Sequence, residues 1–166
     1  MLFATLRILH IISGIIWGGG AVIMFFAVFP SIVATGEAGK QFAAYLFGKS
    51  PFPKIMLASG LITVLAGTYL YGVDSNWFQS AWMQSSQGTM FGIGAFAGII
   101  AFVLGFLINK TNRGLAKLGA QIQGKPTDEQ LAVLGTLQKR QRFLATTNII
   151  FMLISIVTMA SARMFS

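Results

Sequence analysis

The sequence contains no cysteine and only one histidine among its 166 residues. It therefore cannot form a disulfide, a thiolate metal site or a cluster of histidines that holds zinc. Charged residues are also scarce, since they make up 10% of the chain and only four of them are acidic. So few charges cannot solvate the whole surface of a protein of this length. These deficits exclude most classes of enzyme and predict that much of the surface faces lipid.

Apolar residues, by contrast, form 55% of the chain, and the mean hydropathy is +0.73. Four apolar runs, over about 3–29, 55–73, 90–108 and 143–164, are each long enough to cross a bilayer as a helix. The sequence thus predicts one all-α domain over 1–166. We expect an integral membrane four-helix transmembrane bundle, with the lipid bilayer as its first partner.

The distribution of basic residues between the apolar runs predicts the orientation. Segment 109–142 is rich in them, whereas segment 74–89 has no Lys or Arg. The seven basic residues are Lys110, Arg113, Lys117, Lys125, Lys139, Arg140 and Arg142. Because basic loops stay cytoplasmic, we expect both termini outside, in a bacterial inner (cytoplasmic) membrane. The same rule accounts for the net charge of +8, so nucleic-acid binding is not expected.

Two connections carry helical patterns of their own. Apolar spacing continues on both sides of 124–127, which predicts a cytoplasmic helical hairpin whose first helix ends near Gln123. Gly124 suits a C′ position, and Thr127 followed by Gln130 resembles a capping box. Segment 35–50 mixes aromatic residues with lysines, which predicts a short amphipathic helix at the membrane interface.

His10 lies about one turn inside the outer end of the first apolar run, where a polar side chain needs a partner or a cofactor. Trp17 and the run Gly18-Gly19-Gly20 fall near the same helix face. An imidazole, an aromatic wall and missing side chains would offer space for a flat macrocycle. The alternative is a histidine that is hydrogen-bonded inside the bundle.

Residues at the other end of the chain reach a similar depth. Met159 lies about 6 Å below the outer boundary, as His10 does, and Arg163 lies one turn above Met159. Arg163 would suit a carboxylate such as a haem propionate. The alternative is that Met159 fills the core and Arg163 marks the end of the span. Asn148, deeper in the same span, is expected to bond across helices.

Gly14 and Gly18 form a G-x-x-x-G pattern. Small residues at this spacing let two helices approach closely in lipid. The pattern predicts close packing inside the bundle, or else a face for a homodimer or a larger membrane complex.

The segment HIISGIIWGGGAVIMFFAVFP, from His10 to Pro30, resembles the first helix of the copper-resistance D (CopD-like) superfamily of small multispan membrane proteins. Those proteins often have a histidine, a tryptophan seven residues later and then Gly-Gly. The matching residues are His10, Trp17, Gly19 and Gly20. The ending Met-Ala-Ser-Ala-Arg, Met159 to Arg163, is also similar to the last span of some members.

This superfamily includes the HemJ-type protoporphyrinogen oxidases, and the resemblance implies b-type haem on His10. The Leu-Pro-Arg and second histidine of those oxidases are absent, because Val28-Phe29-Pro30-Ser31 stands there. The resemblance therefore does not extend to protoporphyrinogen oxidation.

Three hypotheses follow. The leading one is a haem b protein in electron transfer or redox chemistry with His10 as axial ligand. Met159, a small molecule or His10 of a second copy would fill the sixth position. Its site would comprise His10, Trp17, Gly19, Gly20, Met159 and Arg163. The second is a copper-handling protein with the soft ligand set His10, Met159 and Met90. The third is a ligand-free scaffold or accessory subunit of a membrane complex.

Overall fold

The structure is a computed structural model that describes residues 1–122 and 124–165. Within these ranges every regular element is helical and no strand occurs. The elements are α1 (Leu2–Ala34), α2 (Glu37–Gly48), α3 (Phe52–Asp74), α4 (Ser80–Met83), α5 (Ser86–Gln121) and α6 (Asp128–Ser161), followed by a 3₁₀ turn (Ala162–Phe165). Four helices, α1, α3, α5 and α6, are long and apolar enough to cross a membrane. The predicted all-α class and the four predicted apolar helices are confirmed.

Helix α1 is not regular along its length. Two segments, Ile15–Gly19 and Met24–Val28, have π-helical hydrogen bonding. The first ends in the glycine run, which has low intrinsic helix propensity. The second ends just before Phe29-Pro30, where the proline removes a donor and crowds the preceding turn. Such single π turns occur often at functional sites, because they redirect side chains.

Small residues set the contact between α1 and α3, which run antiparallel. Gly67 lies under the His10 ring, and Gly60 lies under the Trp17 indole, where an added Cβ would come within 3.2 Å of the ring atoms. Gly14, between them on α1, contacts Thr63. Missing side chains thus allow two bulky rings to lie between the helices.

Helices α5 and α6 form a long antiparallel pair. Gly94 lies against Met159 at one end of the pair, and Gly114 lies against Leu137 near the other end. Gly18 of α1 contacts Met152 of α6, and Phe102 of α5 contacts Gly60 of α3. The four long helices therefore pack in the cyclic order α1, α3, α5, α6.

The predicted helical hairpin is confirmed in the described residues. Helix α5 continues to Gln121 and α6 begins at Asp128. Thr127 and Gln130 form the expected capping box, with Gln130 N donating to Thr127 Oγ1 over 3.2 Å and Thr127 N donating to Gln130 Oε1 over 3.0 Å. Gly124 has a left-handed φ of +81°, which suits glycine. Gln123, where the first helix was expected to end, lies outside the described residues.

The short helix predicted within 35–50 is also present, as α2. Its Phe47 ring stacks on Phe29 of α1 at 6.0 Å and meets Phe52 of α3 edge-on at 6.5 Å between centroids. The three rings join the adjacent ends of α1, α2 and α3.

Polarity in this fold is reversed relative to a water-soluble protein. Large apolar side chains are exposed on the outer faces of the long helices, for example Ile15 at 67%, Phe96 at 68% and Val157 at 62%. Many of the buried residues, by contrast, are polar. These are Ser13, Ser59, Thr63, Ser75, Thr111, Asn112 and Asn148.

Candidate ligand-binding site

The His10 side chain is half-buried between α1 and α3. Its Nδ1 atom lies 2.8 Å from the backbone carbonyl oxygen of Thr63. Gly67, one turn further along α3, has no side chain to block this approach. Because a carbonyl oxygen only accepts, Nδ1 must carry a proton, and in the neutral ring Nε2 then carries a lone pair. The interaction provides the intramolecular partner foreseen as an alternative, and it also fixes the tautomer that metal-bound histidines use.

Two hydroxyl groups continue this polar contact below the imidazole. Thr63 Oγ1 lies 2.8 Å from Ser13 Oγ, which donates to the carbonyl oxygen of Leu9 over 2.6 Å. Both residues are buried. The two hydroxyl groups between α1 and α3 therefore both have hydrogen-bond partners within the protein.

The residues predicted to complete the His10 site contact other parts of the bundle. Met159 packs on Gly94 of α5, whereas His10 packs on α3. Arg163 lines a polar cavity of about 330 Å³ at the C-terminal end of α3, together with Asp74, Trp82, Gln87 and Phe91. In the described ranges, no three His, Asp or Glu side chains come close enough to hold a metal ion.

The glycine run next to Trp17 is largely filled by neighbouring side chains. Gly18 lies against Met152, and Gly20 lies against Met56, whose sulfur would be 2.7 Å from an added Cβ. Gly19 has no neighbour within 4 Å of such a Cβ. Thus the missing side chains at Gly18 and Gly20 admit methionines rather than leaving empty space.

A second, mostly apolar cavity of about 110 Å³ lies further along the bundle, toward α2. Trp17 and Phe102 form one wall, with their centroids 6.1 Å apart and their planes at 75°. Further aromatic lining comes from Phe25, Phe29, Phe47, Phe52 and Phe106. Both π-helical segments of α1 contribute to the lining, the first through Trp17 and the second through Met24.

Three asparagines, Asn109, Asn112 and Asn148, also line this cavity. Asn148 is 6% exposed, and its Nδ2 donates to the carbonyl oxygen of Ala101 over 2.6 Å, which confirms the expected bond across helices. Asn112 is also 6% exposed, yet its amide has no hydrogen-bond partner in the described part of the chain. Its amide atoms are nevertheless accessible in the cavity, because Gln141 Nε2 is the one fully buried side-chain polar atom without a partner in the described residues. The Asn112 amide is therefore available to hydrogen-bond a molecule in the cavity.

The chemistry of the cavity is that of a neutral site. None of its lining side chains is ionisable. Aromatic faces offer stacking and edge contacts to a ring, while the amides offer both hydrogen-bond donors and acceptors. Sequence reasoning missed Asn109 and Asn112, because they follow the third apolar run and lie at the start of the basic segment 109–142. Their one signal is the i, i+3 spacing, which places two amides on one helix face.

The cavity does not fit a haem. An engineered cavity of about 150 Å³ in another protein holds a single benzene ring, so about 110 Å³ is far too small for a porphyrin. His10 is not among the residues that line it. At His10 the ligand atom fits a haem iron, but neither described cavity provides room for the macrocycle beside it.

Comparison with known proteins adds no constraint on the function, since no protein-family model, no curated protein and no solved structure matches this chain.

Proposed function

We propose that this chain is a multi-pass protein of the bacterial inner membrane whose aromatic cavity binds a small, neutral, lipophilic molecule. The reversed polarity of the fold supports insertion in a bilayer. Exposed Ile, Phe and Val side chains would be costly in water and are stable in hydrocarbon. The polar side chains lie between the helices, where most of them bond to a backbone carbonyl.

The charge distribution supports an orientation with both termini outside. The α5–α6 hairpin carries the seven basic residues of segment 109–142, and α4 with its flanking turns carries none. With the hairpin inside, the cavity lies in the cytoplasmic half of the membrane, since Phe47 of α2 and Asn112 of α5 line it.

The single observation that carries the binding function is the unpartnered amide of Asn112 at the edge of an aromatic cavity. A ligand that bonds to this amide would use hydrogen-bond donors and an acceptor that the described residues leave without a partner. Asn112 therefore supports a bound molecule with a polar group at this end.

The cavity also has a route to the bilayer. Phe106 lines it and is 54% exposed on the outer face of α5. Rotation of one phenyl ring would open the cavity sideways to lipid, and exposed side chains change rotamer within nanoseconds. A lipophilic ligand would thus enter from the membrane.

Fluorescence of Trp17 provides the test. Trp77→Phe and Trp82→Phe leave Trp17 as the one tryptophan. A brominated alkylbenzene should quench its fluorescence saturably, because a bromine atom in the cavity touches the indole. Gly105→Leu should abolish the saturable part, since Gly105 lines the cavity and has free space at its Cβ.

The matched control is Gly119→Leu on the same helix, where an added Cβ also meets no atom within 4 Å but lies away from the cavity. This variant should be quenched like the parent. Equal, non-saturable quenching in all three proteins would mean that the probe reaches Trp17 only from bulk detergent, and the proposal would fail.

A second candidate function is haem b binding by His10, favoured by the bond from Nδ1 to Thr63, which leaves Nε2 as a potential ligand. Since neither of the two cavities described above lies beside His10, we infer that a second copy would help to enclose the macrocycle. A visible spectrum of the purified protein tests it, because bound haem gives a Soret band.

A further inference from the structure

We propose that the ligand of the aromatic cavity is a quinone-type molecule, a single neutral ring whose oxygen atoms exchange hydrogen bonds with Asn112. This inference rests on the proposed function, because it names the chemical class that the same cavity would take.

The lining requires a neutral ligand. A carboxylate or an ammonium group in this cavity would lose its hydration and find no opposite charge, since none of the lining side chains is ionisable. Fatty acids and cationic amphiphiles are therefore disfavoured at this position. Lys110 and Arg113 flank Asn109 and Asn112 in sequence, but neither lines the cavity.

The size of the cavity requires a single ring. Its volume of about 110 Å³ is comparable to that of a site for one benzene ring. The T-shaped pair of Trp17 and Phe102 presents an aromatic face and an edge, which favour a flat guest over a branched chain. A longer tail on the ring would have to leave beside Phe106 and extend into lipid.

The hydrogen-bonding groups of the asparagines indicate which polar groups the ring carries. Asn112 has both its amide N–H donors and its carbonyl acceptor without a partner in the described residues, whereas Asn148 has one N–H engaged by Ala101. A quinone oxygen accepts from the N–H of Asn112, and a quinol hydroxyl donates to its carbonyl. The neutral amide of Asn112 can therefore bind both the quinone and the quinol. A purely apolar cavity would offer neither form a hydrogen bond and would not favour it over a hydrocarbon ring.

The experiment compares three probes that share one alkyl tail. Decyl-substituted 1,4-benzoquinone, decylbenzene and decanoate each compete with the brominated alkylbenzene for the cavity, in the single-tryptophan protein. Gel filtration separates the displaced brominated compound from the protein. The amount displaced measures how well each probe competes. We expect the quinone to displace it at a concentration roughly 3- to 10-fold lower than decylbenzene, as one added hydrogen bond predicts. Decanoate should be the weakest.

Asn112→Leu should remove that preference by weakening the quinone roughly 3- to 10-fold while leaving decylbenzene unchanged. Thr111→Val is the matched control, because Thr111 is buried next to Asn112 and its hydroxyl bonds to Leu107 rather than lining the cavity. It should leave both probes unaffected.

Failure of this inference is distinguishable from failure of the proposed function. If quinone and decylbenzene compete equally well in the parent protein, the cavity binds lipophilic rings but the quinone assignment is overturned. If the brominated probe itself shows no saturable binding, both are overturned. The comparison of the quinone with decylbenzene in the parent protein tests the quinone assignment even if Asn112→Leu does not fold.

Discussion

Replacement of Asn112 by leucine should leave the stability of the ligand-free protein nearly unchanged, unlike most substitutions of buried residues. Asn112 is 6% exposed and its amide has no partner among the described residues. Its amide atoms are accessible in the cavity, however, because Gln141 Nε2 is the one fully buried side-chain polar atom without a partner in the described residues. The substitution therefore breaks no hydrogen bond of the ligand-free protein and removes no buried, unmet one. Leucine is the larger side chain, and the cavity beside it can accept the difference.

The unfolding temperature measures this effect. For a chain of 166 residues, 1 kcal/mol corresponds to about 2–4 °C, so Asn112→Leu should shift Tm by less than about 2 °C. The assay is thermal unfolding in detergent, followed by intrinsic fluorescence. All variants are scanned at the same rate, because unfolding of membrane proteins is often irreversible.

Asn148→Leu is the matched control, since it makes the same change in the same cavity at the same exposure of 6%. Asn148 donates to the carbonyl oxygen of Ala101, so its loss should lower stability by about 0.5–1.5 kcal/mol. A decrease in Tm for Asn148→Leu alone is the expected result. A decrease for Asn112→Leu as large as that for Asn148→Leu would refute the reasoning, because it would mean that the Asn112 amide makes a stabilising bond in the ligand-free protein.

Three further predictions concern other parts of the chain. Cysteine introduced at Ser80 should react with an impermeant reagent added outside, whereas cysteine at Lys125 should not, because the basic hairpin is expected inside; the opposite labelling would reverse the orientation. Gly67→Ala should destabilise the protein by about 1–3 kcal/mol, since the new Cβ would lie 2.7 Å from the His10 ring; an unchanged Tm would show that the ring is not held over Gly67. If haem is bound at all, His10→Ala should remove the Soret band, and a full complement of haem in this variant would exclude His10 as its ligand.

The four apolar helices and the α5–α6 hairpin could be predicted from the sequence because their signals are local. Hydropathy over about 20 residues identifies a possible span, and the Thr127–Gln130 capping box needs only four consecutive residues. The bond made by Asn148 was also predictable, since an amide in an apolar helix has few alternatives to a neighbouring helix.

The cavity could not be predicted in this way, because it depends on which helix faces are neighbours. The rise per residue gives the depth of a side chain, and His10 and Met159 were matched by depth alone. The direction in which each side chain points is set by packing: Gly67 orients His10 toward α3, and Gly94 accommodates Met159 on α5. The π-helical segments of α1 add a further rotation that a regular helical wheel does not contain.

The molecule that copurifies with the protein tests the central claim most directly. Protein purified from its native membrane in mild detergent is extracted with organic solvent, and the extract of the parent is compared with those of Gly105→Leu and Gly119→Leu by mass spectrometry. The account predicts a neutral ring compound in near-stoichiometric amount in the parent and in Gly119→Leu, and its loss from Gly105→Leu. Equal amounts of every extracted compound in all three proteins would contradict it, because the filled and the open cavity would then retain the same molecules.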